Sequence, residues 1–106
     1  MYRSMLYLRV KPGQAAALIE WYKQARVLEK AVEAAGCVST EIYQLPDEPD
    51  QVFVTAYWPD SDGYQRWIDH PLRHELAAGI NAFMDDSTEF TPASRGTLLQ
   101  SAHAAP

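Results

Sequence analysis

Two histidines, His70 and His74, follow Trp67 closely in the chain and stand four residues apart. On a continuous helix that spacing would put both imidazoles on one face, where they could share a metal ion or move a proton. Pro71 lies between them and interrupts the helix, and no cysteine or clear third ligand is close in sequence, so no metal site is expected. His74 as a general base, with His70 beside it, is then the sharper chemical assignment, and a solvated pair at a helix start is the plain one. Six aromatic residues, Trp21, Tyr22, Trp58, Tyr64, Trp67 and Phe83, could wall a dry pocket for a flat ligand. Core filling is the ordinary reading for any one of them, and Trp67 is the one singled out for function. Arg3, Arg9 and Glu41 read as charges at an interface rim. Cys37 reads as a small buried residue at a strand start and not as a nucleophile, since no histidine is near it in sequence. There is no G-x-G-x-x-G, Walker loop, CxxC pair or nucleophile elbow, so no nucleotide cofactor is indicated.

The elements that must position these residues are organised around Val52 to Pro71. Val52, Val54, Ala56 and Trp58 alternate with Phe53, Thr55 and Tyr57, a β-branched and aromatic run that predicts a strand covered on both faces. Pro59 ends it, Asp60 offers a carboxylate to the amides of the next turn, and a helix should follow with Tyr64, Trp67 and Ile68 on its apolar stripe. Before this, Tyr2 to Val10 alternates as a first strand, with Leu6, Leu8 and Val10 on one face and Arg3, Met5, Tyr7 and Arg9 on the other. Lys11-Pro12-Gly13 breaks that strand. From Gln14 the stripe Leu18, Trp21, Tyr22, Ala25, Leu28, Val32, Ala35 predicts one long helix, closed by Gly36 as a left-handed cap. Cys37 to Leu45 reads as a second strand with Val38, Thr40 and Ile42 on one face, and Pro46 to Asp50 as the turn after it. Pro71 opens another helix whose stripe runs through Leu72, Leu76, Ile80, Phe83 and Met84. A fourth strand is expected within Glu89 to Leu99, and the tail SAHAAP is expected to be frayed.

With 106 residues, 47% of them hydrophobic, the chain should form one domain over 1–106. A formal charge of −5 and the lack of any Lys/Arg cluster argue against nucleic acid or an anionic membrane as partner. One cysteine and no N-terminal apolar run point to a reducing cytoplasm. The order β-α-β-β-α-β is that of an α+β, ferredoxin-like sandwich with an antiparallel sheet and its helices on one side. The other face would carry Met5, Tyr7, Tyr43, Phe53 and Tyr57, too much aromatic surface to leave wet, and a homodimer packed sheet to sheet is therefore expected.

V-K-P-G after the first strand, A-A-G before the second, and F-V-T-A-Y-W-P-D-S-D-G-Y-Q-R-W with a proline soon after resemble the antibiotic biosynthesis monooxygenase family of dimeric α/β barrels. The resemblance covers about the first four-fifths of the chain, and its motifs speak to fold more than to activity. It implies a pocket between helices and sheet in each subunit, with Leu6, Leu8 and Leu76 joining the aromatic residues in its wall. It also implies oxidation of a small aromatic or polyketide-like phenol by oxygen with no cofactor. In the haem-degrading branch an asparagine on the first strand, the tryptophan of the second helix and a later histidine carry the site. Here only Trp67 matches; Leu6 holds the first position, and Leu76 or Ala77 the last, with His74 a few residues early. The alternative from a different class is a non-catalytic module that binds a small apolar or aromatic ligand in the same pocket.

Overall fold

A computed structural model describes residues 1–85 and 93–105. Four strands, β1 (Tyr2–Arg9), β2 (Ser39–Leu45), β3 (Glu48–Trp58) and β4 (Ser94–Thr97), form one sheet in the order β2-β3-β1-β4. Every neighbouring pair is antiparallel. The helices are α1 (Ala15–Gln24), α2 (Val27–Ala35), α3 (Gly63–Ile68) and α4 (Pro71–Asn81). The β1–β3 register sets Ser4 opposite Ala56, Leu6 opposite Val54 and Leu8 opposite Val52, so these six share a face. The buried apolar residues of β1 and β3 all belong to it: Leu8, Val52, Ala56 and Trp58 join Leu18, Tyr22, Val27, Ala31, Trp67, Leu76 and Ile80 from the helices in one core. This is the α+β, ferredoxin-like arrangement that the sequence predicts. Among the described residues no helix is long and apolar enough to cross a membrane.

The expected long helix is two. Arg26, at φ 55, takes the left-handed conformation and separates α1 from α2. A non-glycine residue there costs on the order of 1 kcal/mol. The break advances the phase of α2, so that Val27, Ala31 and Ala35 face the core while Val32 of the predicted stripe is exposed. Arg26 also reaches across the new helix to Glu33 at 2.8 Å, an exposed pair that adds little. Gly36, φ 74, ends α2 as expected.

Three boundaries differ from the sequence reading. Val38 precedes β2 and is exposed, because the strand starts at Ser39. The turn after β2 shrinks to Pro46 and Asp47, and β3 already begins at Glu48, with a register shift between Gln44 and Leu45 absorbing the difference. Pro49 is tolerated there because the β1 pairing reaches only to Gln51. The fourth strand is the short, exposed Ser94–Thr97, while Phe90 and Thr91, which the sequence would also place near it, lie outside the described residues.

Pro59 ends β3, and Asp60 Oδ1 accepts from the Asp62 amide at 3.0 Å as the chain turns into α3. A Cβ on Gly63 would stand 2.6 Å from Trp58 Cβ, so α3 sits on Trp58 at a distance that only glycine allows. Trp58 Cβ is near the backbone and cannot swing aside. Gly63→Ala is therefore expected to cost about 1–3 kcal/mol, read as a lower urea midpoint at an unchanged m-value.

No described helix covers the opposite face of the sheet. Tyr7 and Tyr43 are 48% and 43% exposed there, and both stack on Phe53, with ring centroids 5.7 and 4.8 Å away. Arg3 lies over the Tyr57 ring at 5.4 Å, and its Nε is buried with no hydrogen-bond partner among the described residues.

Candidate functional site

Between the sheet and the helices lies a narrow cavity of about 470 Å³ of unfilled space, its open mouth included. Only about 40 Å³ of it admits the centre of a water-sized sphere, so the slot is tight. Ser4, Leu6, Val54, Ala56 and Trp58 form its sheet side. Tyr22 from α1 and Val27, Leu28 and Ala31 from α2 line its helix side, with Tyr64, Trp67 and Arg73 from α3 and α4. The shifted phase of α2 is what puts Val27 and Ala31 in this lining.

Each aromatic wall is fixed by something specific. Trp58 is 1% exposed and its indole N–H donates to Ser4 Oγ at 3.0 Å, an internal partner for a polar atom that burial would otherwise orphan. Tyr64 meets Trp58 edge-on at 6.3 Å. Trp67 is 6% exposed, and the α3 that carries it is tied to the end of α2 by Arg66, whose Nε donates to the Ala35 carbonyl at 3.0 Å. Arg66 also reaches Asp60 at 3.4 Å.

Of the residues predicted for the pocket wall, Leu6, Tyr22, Trp58, Tyr64 and Trp67 line this cavity. Leu8 and Leu76 are buried in the core but outside its lining. Trp21 and Phe83 are also outside it; they lie 6.2 Å apart, and Trp21 packs so closely on Gly79 that a Cβ there would meet the indole at 2.0 Å. Neither histidine lines it. His70 is the N-cap of α4, its Nδ1 accepting from the Leu72 amide at 3.1 Å, and its ring lies 6.0 Å from Trp67. His74 is exposed, with Nε2 3.1 Å from the Ile68 carbonyl. The two imidazoles thus serve the α3–α4 corner. Pro71 at the first helical position holds His70 extended, at ψ 138, and places its ring for the cap.

Arg73 is the functional candidate that sequence reasoning missed. It is the one charged residue in the lining, and it acts on both cavity tyrosines. Burial pushes the Tyr22 hydroxyl up to about 12, with Arg73 opposing. Burial also raises Tyr64, with Arg73 and Arg95 opposing. The guanidinium of Arg95 stands over the Tyr64 ring at 5.0 Å. Near neutral pH both phenols are therefore protonated donors. Cys37 is 4% exposed, its thiol contacts the Ser39 and Tyr57 carbonyls, and burial raises its pKa, which suits a packing role.

The Tyr22 shift has a stability consequence. A folded-state pKa above the unfolded value of 10.0 means that the unfolded chain loses its proton first. The contribution is intact below pH 10 and is lost as pH rises toward 12, about 2–3 kcal/mol in total. Denaturant titrations across that window should show the wild-type protein weakening more steeply than Tyr22→Phe.

Among the described residues no group of three or more His, Cys, Asp and Glu is gathered to hold a metal ion. The lining contains no histidine, cysteine or methionine, and Leu76 and Ala77, one of which the resemblance sets at the histidine position of the haem-degrading branch, are both outside it. These residues do not fit a haem.

Solved structures share the fold. A candidate antibiotic biosynthesis monooxygenase from Bordetella bronchiseptica superposes with a TM-score of 0.77 at 16% identity, over 93% of this chain and 97% of that one. Another from Deinococcus radiodurans gives 0.76 at 11% identity over the whole of both chains. A protein of unknown function from Nitrosomonas europaea gives 0.72 at 22% identity, over 99% of this chain and 95% of that one. No curated protein matches the sequence. The family described as antibiotic biosynthesis monooxygenase matches residues 1–78, which run from β1 through the cavity-lining residues to the middle of α4, and the chain belongs to that family.

Proposed function

We propose that this protein is a cofactor-independent monooxygenase that oxidises a small aromatic or polyketide-like phenol in the cavity between sheet and helices. The observation that carries the reading is the cavity itself, apolar in most of its surface and walled by Tyr22, Trp58, Tyr64 and Trp67. An electron-rich phenol can reduce dioxygen unaided once it is held away from water beside groups that steady its charge. The balance needs no other reductant: one oxygen atom replaces a ring hydrogen and becomes the second quinone carbonyl. The other atom leaves as water with that hydrogen and the phenolic proton, and the substrate supplies all four electrons.

The active species is a homodimer joined through the uncovered sheet faces. Two features support a second copy as the occupant. The Tyr7–Phe53–Tyr43 stack is an aromatic patch large enough to call for cover, and the orphaned Arg3 Nε shares that face with Glu41, so a two-fold axis can bring opposite charges together.

A carrier that binds such a ligand without changing it is the second reading, and the placement of both histidines outside the cavity favours it. Titration with haem and a panel of hydroxylated aromatics, following tryptophan fluorescence and oxygen uptake together, separates the two. The monooxygenase reading expects uptake with at least one hydroxylated aromatic that also changes the fluorescence, and turnover that survives His74→Ala. Binding with no uptake across the panel would make the protein a carrier.

A further inference from the structure

We infer that Arg73 sets the specificity of the cavity for a ligand with an acidic oxygen on its ring, bound as the anion. The inference rests on the reading of this cavity as the ligand site. Arg73 is the only charged side chain in the lining, and among the described residues its guanidinium forms no ion pair, although the chain carries 14 acidic residues. Hydroxyls in the same lining can donate as well. Tyr22 and Tyr64 keep their protons because burial raises both, and neither hydroxyl is bonded to a described residue. Ser4 Oγ already accepts from the Trp58 indole, which leaves its own proton to give. Thr40 spends its proton on the Thr55 carbonyl at 2.8 Å. An apolar slot with an unpaired cation favours a ligand that brings an anionic acceptor, to which the Tyr22, Tyr64 and Ser4 hydroxyls can also donate.

The acidic oxygen could belong to a phenol that ionises on binding or to a carboxylate. 4-Nitrophenol tests the first, since its phenolate absorbs in the visible, and benzoate against benzamide tests the second. Calorimetry reads binding and absorbance reads ionisation. In the wild-type protein the bound nitrophenol should be about tenfold more acidic than in solution, a downward shift of about one pH unit. Arg73→Met should abolish the shift, and Arg73→Lys should keep part of it, with circular dichroism confirming that both variants fold. Preference for benzoate over benzamide that disappears in Arg73→Met would also support the inference and extend it to carboxylates. Nitrophenol that binds with no shift, or with a shift that Arg73→Met leaves in place, together with no benzoate preference that depends on Arg73, would overturn the inference and leave the cavity reading standing. Failure of all three probes to bind would overturn both.

Discussion

Replacing Phe53 by glutamate is expected to turn a dimer of this chain into a folded monomer at low micromolar concentration. Phe53 is half-buried at the centre of the uncovered face, stacked between Tyr7 and Tyr43. In the isolated chain a carboxylate there can reach water, so the cost to folding is confined to the lost stacking and a poorer strand residue, on the order of 1 kcal/mol. Between two sheets the same carboxylate would be sealed from water opposite a second copy of itself. An unpaired buried charge costs several kcal/mol per ion, enough to dissociate an interface of ordinary affinity. Sedimentation should give a dimer for the wild-type chain and for Phe53→Leu, and a monomer for Phe53→Glu. A wild-type monomer at the same concentration would remove the dimer.

Trp58→Ala should have the largest effect on stability, about 3–5 kcal/mol. The indole is 1% exposed, touches Gly63 at the start of α3, meets Tyr64 edge-on and satisfies Ser4. It also stands, with Tyr64, in the wall between the inner cavity and a second cleft lined by Arg3, Asp60 and Arg95 near β4. Removing it merges the two spaces and frees α3 from the sheet. Against a typical total of about 5–15 kcal/mol, a loss of this size would leave the protein marginal. Trp58→Phe isolates the polar part: it keeps most of the ring but strands Ser4 Oγ without its donor, for about 1–2 kcal/mol. Urea midpoints for the two variants check both figures, and an Ala variant within 1 kcal/mol of wild type would mean that the cavity wall is not packed as described.

The sequence made the sheet and its two faces legible because alternation is a local signal. Val52, Ala56 and Trp58 could be assigned to one side and Phe53 and Tyr57 to the other with no knowledge of the partners. The break at Arg26 was not legible: Ala25, Arg26 and Val27 include neither glycine nor proline, and local preference alone would carry the helix through. Packing of Val27 and Ala31 over the sheet overrides that preference. His70 and His74 drew attention by spacing, yet a ring nitrogen capping a helix is rarely anticipated, since the usual cap residues are Ser, Thr, Asp and Asn. Arg73 was hidden for the opposite reason. Nothing beside it in sequence marks it, and its meaning comes from Tyr22 and Tyr64, which only the folded chain brings to the same cavity.

The most direct test of the central claim is the fate of isotopically labelled dioxygen when chelator-treated, flavin-free protein turns over a hydroxylated aromatic. A cofactor-free monooxygenase would leave one labelled atom in the quinone and the other in water, with one quinone formed per dioxygen consumed. Quinone oxygen drawn from solvent water, or turnover that starts only when a metal or flavin is added, would contradict that reading.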